Sequence, residues 1–302
     1  MRIAIVGSGA MGQLFGARLQ LAGNDVVFFD TQQHTLDTLN DVGITLDAGS
    51  GPEHVQTRAK RAEDENDPFE LIVIFTKGFH TRAAVESVRH LIGPGSLGLS
   101  LQNGLGHAEI ISEAFGPGRT VVGVTDFPAD PCAHGHIRTT SYGSVRLGAL
   151  TARGNHASEI AQVLTKAKLN AQVEEDVRVP IWEKVAFNSA LNTLSAVTGR
   201  TVGDLGKSPQ AREIAATVLQ ETQRVATSQA VELSLDRVNA ALDNAYIHHG
   251  SHKTSMLLDR EAGRPTEVDY IGGAVVEIGM RAGVPTPVLK TLCDLVRALT
   301  VS

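Results

Sequence analysis

Along the first half of the chain, short apolar runs at residues 3–6, 26–29, 71–75, 97–101 and 120–124 alternate with segments of helical spacing. Runs that are apolar throughout, with no polar alternation, are the mark of strands covered on both faces. A parallel sheet flanked by helices is therefore expected. Residues 136–138 and 144–148 alternate more clearly and read as an antiparallel hairpin around Tyr142 and Gly143, closing one sheet edge. A helix over 159–168 and a last strand over 171–173 complete this half. An acidic, extended stretch over 174–180 then changes the pattern. From Trp182 onward the spacing is helical, over 182–198, 209–229, 235–245, 255–260, 266–282 and 285–300. Two domains follow: an α/β domain over residues 1–176 and an all-helical one over 177–302, with a site expected in the cleft of a two-domain enzyme.

The chain is 302 residues long with 42% hydrophobic and 20% charged residues, ordinary values for a folded globular protein. Its 27 Lys and Arg against 33 Asp and Glu give a formal charge of −6, so no basic field is available to draw in a phosphate backbone, and nucleic acid is not expected as a partner. Cys132 and Cys293 stand far apart with no CxxC or Cys/His spacing, which argues against a disulfide framework and a zinc site. Two histidine groups, His134 with His136 and His248, His249 with His252, have no acidic or cysteine companions, and no metal is expected. The first apolar run breaks into glycines too soon for a signal-peptide core or a membrane span, so a cytoplasmic protein is expected.

Chemistry enters at Gly7-Ser8-Gly9-Ala10-Met11-Gly12, directly after the first strand and at the start of a helix. This is the setting in which GxGxxG binds a dinucleotide. The first glycine permits a tight turn, the second lets the backbone approach a pyrophosphate, and the third lets helix pack on strand. Free N–H groups at the helix start then face the phosphates. A Rossmann domain is expected. Asp30 ends the second strand, eighteen residues after Gly12, where a carboxylate accepts hydrogen bonds from adenosine ribose hydroxyls and repels a 2'-phosphate. With no Lys or Arg in Thr31-Gln32-Gln33-His34, Asp30 favours NADH over NADPH. Lys77 and Asn103 follow the third and fourth strands, at the sheet edge where such folds bind ligands. Taken singly, they also fit a surface lysine and a turn-forming asparagine.

In the helix that begins near Trp182, Lys184, Asn188 and Asn192 recur at i, i+4 and i+8, with Ser195 on the same stripe of an otherwise apolar helix. Buried without partners, an ammonium and two amides cost several kcal/mol on the order of magnitude known for such groups, so the stripe meets a cleft or a hydrogen-bonding neighbour. Further on, Ser255 opens the segment Ser255-Met256-Leu257-Leu258-Asp259-Arg260. Thr266 reads as an N-cap, with Glu267 in the first helical turn favoured by the dipole. Gly272-Gly273 inside that helix calls for something packed closely against it.

These motifs, in this order and spacing, resemble the ketopantoate reductase (2-dehydropantoate 2-reductase) family over essentially the whole chain. The places of resemblance are the glycine turn, Thr76-Lys77-Gly78-Phe79, Gln102-Asn103-Gly104, the segment from Trp182 to Asn192, and Thr254-Ser255-Met256 with Pro265-Thr266-Glu267. The resemblance implies reduction of a 2-oxo acid to an (R)-2-hydroxy acid by NADPH, with ketopantoate giving pantoate for pantothenate synthesis. Lys184 would be the general acid and Glu267 the carboxylate that positions substrate or Lys184. Asn188, Asn192 and Ser255 would be substrate ligands, and Lys77 and Asn103 would bridge cofactor and substrate. A homodimer is what the family suggests. Asp30, Gln102-Asn103-Gly104-Leu105-Gly106-His107 and the segment 176–184 look instead like the NAD-dependent D-2-hydroxy-acid dehydrogenases of the D-mandelate type, which act on branched or aromatic 2-oxo acids. A non-catalytic dinucleotide sensor would need neither Lys184 nor Glu267.

Overall fold

The computed structural model describes residues 1–49, 51–116, 118–133, 135–140, 143–150 and 156–300. In chain order the strands are β1 (Arg2–Val6), β2 (Asp25–Phe29), β3 (Ile44–Asp47), β4 (Pro52–Val55), β5 (Ala59–Lys60), β6 (Phe69–Ile74), β7 (Ile92–Ser100), β8 (Thr120–Thr125), β9 (Asp130–Ala133), β10 (His136–Arg138), β11 (Val145–Ala149) and β12 (Ala171–Val173). The helices are α1 (Ala10–Leu21), α2 (Gln33–Asp41), α3 (Thr81–Ser87), α4 (His107–Phe115), α5 (His156–Lys166), α6 (Arg178–Thr198), α7 (Val202–Gly206), α8 (Pro209–Ser228), α9 (Leu235–His248), α10 (Ser255–Glu261), α11 (Gly272–Ala282) and α12 (Pro287–Thr300).

One compact unit comprises residues Met1–Gln102 and His107–Val177. Its main sheet runs β12-β11-β8-β7-β6-β1-β2-β5. From β8 through β5 all pairings are parallel, whereas β11 lies antiparallel to β8. Alternate residues of each strand feed opposite cores. Ile3, Ile5, Val26, Phe28, Leu71 and Val73 pack with Leu14, Phe15 and Leu19 of α1. Ala4, Val6, Val27, Phe29, Ile72 and Ile74 pack with Val85 of α3 and with Ile111 and Phe115 of α4. Both faces are thus covered, which is why these strands are apolar throughout. The chain leaves β1 toward β2 and later crosses to β6 on the other side, so the β1/β6 boundary is the switch point at which open α/β sheets bind ligands.

The expected hairpin does not form. Residues 136–138 are β10, in a second sheet of order β4-β3-β10-β9, where they run parallel to β3 and antiparallel to β9. Residues 145–149 are β11, which pairs with β8 and β12 of the main sheet. Both stretches are strands, but β10 folds back on β9 just before it and adds to the distant β3, while β11 takes β8 and β12, so the two do not pair with each other. Tyr142 of the expected turn lies outside the described residues.

The second unit comprises Asn103–Gly106 and Arg178–Ser302. The segment holding Asn103, assigned by sequence position to the first domain, is compact with the helices instead. Its core gathers Trp182, Val185, Leu191 and Leu194 of α6 with Val218 and Leu219 of α8 and with Leu289 and Val296 of α12. Helix α6 begins at Arg178, not after the stretch expected to be extended. Pro180 falls in its first turn, where the missing N–H has no helical acceptor to lose. Among the described residues no helix is long and apolar enough to cross a membrane.

Candidate active site

The glycine turn is built as its spacing requires. Gly7 has φ +96°, and a Cβ there would lie 2.6 Å from the Thr76 nitrogen, so only glycine lets the end of β1 pass the end of β6. A Cβ on Gly12 would lie 2.1 Å from the Gly7 carbonyl oxygen and 3.2 Å from Cγ2 of Ile5, which is the close packing of helix on strand. A Cβ on Gly9 would meet nothing within 4 Å. The middle glycine faces open space, as a turn approached by a pyrophosphate must. Gly9 caps α1 with no side-chain hydrogen bond, and no acidic residue occupies the first turn. The amides of Ala10, Met11 and Gly12 at this helix start therefore suit an anion, and these residues fit a dinucleotide.

Ser8 turns its backbone N–H away from that space, donating to Oδ2 of Asp30 at 2.9 Å, while its buried hydroxyl donates to the Phe29 carbonyl at 3.3 Å. The other carboxylate oxygen, Oδ1, accepts from the Gln32 N–H at 2.9 Å. Asp30 is thus fixed one residue beyond β2, and each oxygen keeps a lone pair for a ribose hydroxyl. Lys77 follows β6, half-buried, where its carbonyl accepts from the His80 N–H at 2.9 Å and opens the turn into α3. Because β6 pairs with β1, the Thr76-Lys77 segment borders the glycine turn.

In the helical unit, Asn188 and Asn192 are 8% and 6% exposed, yet among the described residues neither side chain meets a hydrogen-bonding partner, and neither amide is sealed from solvent. Their neighbours on α6 behave differently. The Thr193 hydroxyl donates to the Ser189 carbonyl at 2.6 Å, and the Ser195 hydroxyl to the Arg200 carbonyl at 2.8 Å. Ser195 thus meets the hydrogen-bonding neighbour that the stripe called for, its hydroxyl serving the end of the helix. Buried amides that keep their bonding capacity are set to receive a ligand. Lys184, half-buried, stands one turn before Asn188.

Glu267 is 8% exposed, but not in a helix. Its carbonyl accepts the N–H groups of Tyr270 and Ile271, both at 3.1 Å, and Gly273 donates to Val268 at 2.8 Å, so residues 267–271 form turns ahead of α11. Thr266 is therefore no N-cap. Asp269, which a capping pattern would turn back toward it, pairs with Arg297 at 2.7 Å. The two glycines open α11 because Cβ atoms there would lie 2.7 Å from the Cys293 sulfur and 2.8 Å from Arg297. The same turn receives the segment that carries Asn103. Leu105 donates to the Tyr270 carbonyl at 2.9 Å, and a Cβ on Gly104, φ +102°, would lie 2.3 Å from that oxygen. Ser255 is exposed in the first turn of α10, whose N-cap Thr254 accepts from Leu257 at 3.3 Å, and α10 packs on α6.

Sequence reasoning passed over Gln102, whose side chain bonds to residues 21 and 26 positions earlier and so leaves no local signal. Burial holds Cys293 inert, with its thiol pushed up to about 12. Among the described residues, no group of three or more His, Cys, Asp or Glu could hold a metal ion.

The family described as ketopantoate reductase PanE/ApbA matches residues 3–152, and its C-terminal part matches residues 176–300. The 2-dehydropantoate 2-reductase of Pyrococcus abyssi is 31% identical over 299 residues, 98% of this chain and 97% of that protein. That of Streptococcus pyogenes serotype M6 is 28% identical over 300 residues, 99% and 97%. Among solved structures, the ternary structure of D-mandelate dehydrogenase with NADH and anilino(oxo)acetate superposes with a TM-score of 0.94 at 29% identity, covering 99% of this chain and 98% of that one. A 2-dehydropantoate 2-reductase from Geobacter metallireducens GS-15 gives 0.92 at 28% identity, with 99% of each chain covered.

Proposed function

The chain belongs to the ketopantoate reductase PanE/ApbA family, and from that premise we propose that it is an NAD-dependent D-2-hydroxy-acid dehydrogenase, reducing 2-oxo acids with branched or aromatic groups. Family and fold make it an NAD(P)-dependent oxidoreductase of 2-oxo acids. The observation that carries the finer reading is Asp30: a fixed carboxylate beside the glycine turn, with no Lys or Arg in the next four residues to receive a 2'-phosphate. The likeness to a D-mandelate dehydrogenase solved with NADH supports it.

In this reading, bound NADH supplies a hydride to the carbonyl carbon of the substrate. Gly9, Ala10, Met11 and Gly12 would hold the pyrophosphate by backbone N–H groups, while Gly7 and Ser8, whose own N–H groups go to the Phe29 carbonyl and to Asp30, shape the turn around it; Asp30 accepts the ribose hydroxyls, and Lys77 and Asn103 border cofactor and substrate. The Lys184 ammonium polarises the ketone oxygen and gives it a proton, so that C=O plus hydride plus proton becomes CH–OH. Lys184 then regains a proton from solvent. Asn188 and Asn192 hold the substrate carboxylate with neutral donors, Ser255 adds a hydroxyl, and Glu267 orients substrate or Lys184.

Reduction of ketopantoate with NADPH is the second reading, favoured by the names of the curated relatives. Initial rates of NADH and NADPH oxidation, each with ketopantoate and with a panel of branched and aromatic 2-oxo acids, separate the two. Faster NADH oxidation with the bulkier acids is expected. Preference for ketopantoate with NADPH would establish the second reading.

A further inference from the structure

We propose that Gln102 is a positioning residue for the cofactor site, holding the main chain from which Lys77 departs. The inference rests on the role proposed above for Lys77. The Gln102 side chain spends its whole amide on one junction. Its Nε2 donates to the Thr76 carbonyl at 2.7 Å and to Oγ1 of Thr81 at 2.9 Å, while its Oε1 accepts from the Ser100 hydroxyl at 2.9 Å. The orientation of this amide is fixed by chemistry, because a backbone carbonyl only accepts. Ser100 is held in turn, its oxygen accepting the Gln102 N–H at 3.2 Å. Thr81, fully buried, also lies in hydrogen-bonding contact with Nδ1 of His107 at 3.3 Å, so one chain of bonds joins Ser100, Gln102, Thr81 and His107.

The bond to Thr76 sets the peptide plane between Thr76 and Lys77, and with it the direction in which Lys77 leaves the sheet. The close approach at Gly7, where an added Cβ would lie 2.6 Å from the Thr76 nitrogen and 2.9 Å from the Phe75 carbonyl carbon, shows that the preceding peptide, Phe75–Thr76, abuts the glycine turn, so Thr76 is held against that turn on one side and by Gln102 on the other. One side chain at the end of β7 thus fixes the end of β6 against the end of β1. A displacement of about 1 Å in such a group is enough to cost up to ~100-fold in rate.

The test is a double-mutant cycle in the full-length protein between Gln102→Met, which keeps the length of the side chain but removes its donors and acceptor, and Lys77→Ala. Both kcat with a 2-oxo acid and the Kd for NADH, from nucleotide fluorescence, are read. Gln102→Met is expected to worsen one of these about tenfold in the wild-type background and less than about twofold in the Lys77→Ala background. Equal losses in both backgrounds, the result of a merely structural role, would overturn the proposal, as would a single variant that matches wild type. If Gln102→Met does not fold, Ser100→Ala, which frees the amide to rotate, is run through the same cycle with a smaller loss of the same pattern expected. A wild-type protein that binds NADH but reduces no 2-oxo acid overturns the dehydrogenase reading alone, since the cycle is still decided on Kd. One that binds no NADH overturns both.

Discussion

In the proposed function Lys184 and Asp30 carry separable halves of the chemistry, and single substitutions should separate them. Lys184→Ala is expected to lower kcat by at least ~100-fold, as loss of a general acid does, with the Kd for NADH nearly unchanged. Stopped-flow or steady-state assays check it, and undiminished turnover removes Lys184 from the mechanism. Asp30→Ala is expected to raise the rate ratio of NADPH to NADH, because it removes a charge opposed to a 2'-phosphate. It also frees the Ser8 N–H, so NADH binding should weaken at the same time. An unchanged ratio would show that Asp30 serves the turn alone. At this scale the glycine turn and the polar stripe of the candidate site were legible in the sequence. Three amide and ammonium side chains four residues apart stand out on an apolar helix, and glycines at fixed offsets after a strand have one common use. For Ser195 the spacing gave the face but not the partner, because it does not reveal that the hydroxyl bends back to the Arg200 carbonyl.

Elements were legible where their stabilisation is local or their burial complete, as in the central strands and in the helices capped by Ser208, Ser234 and Thr254. The second sheet was not legible. Its strands β3, β4, β9 and β10 are short and partly polar, and they exist through pairings such as His136 with Thr45, ninety-one positions apart. Helix α12 shows the same dependence on distant partners. Its first amides, Val288 and Leu289, donate at 3.0 and 2.8 Å to the two carboxylate oxygens of Glu221 on α8, a side chain only 2% exposed. A capping role normally filled by the preceding residue is thus met from sixty-seven positions away. Glu221→Gln leaves one amide facing an NH2 group and should cost about 1–3 kcal/mol, read as a lower urea midpoint. No shift in the midpoint would mean that α12 caps itself by another route.

For the molecule as a whole, Glu65 should contribute to the loss of stability in acid. Its carboxyl is lowered from 4.5 to about 2, chiefly by the Lys60 ammonium, with the N–H groups of Asp67 and Asn66 adding to it against the opposing effect of burial. Arg2 at the start of β1 also pairs with it at 2.9 Å. A carboxyl held low stabilises the folded state above its unfolded value near 4.5, and that contribution fades as pH falls toward about 2. Thermal midpoints of wild type and Glu65→Gln should therefore lie apart at neutral pH and converge between about 4.5 and 2; a constant gap would refute this. The tetrapeptide Asn103–Gly106 has a different bearing on the molecule. It belongs with the helices while its flanking residues belong with the sheet, so the chain passes between the two units three times, after Gln102, after Gly106 and after Val177. A recombinant that exchanges the helical half for that of a relative by a single crossover near Val177 would keep the native loop opposite a foreign Tyr270 position. Exchanging the helical unit of this chain thus calls for three junctions, with residues 103–106 moved alongside the helices they are compact with.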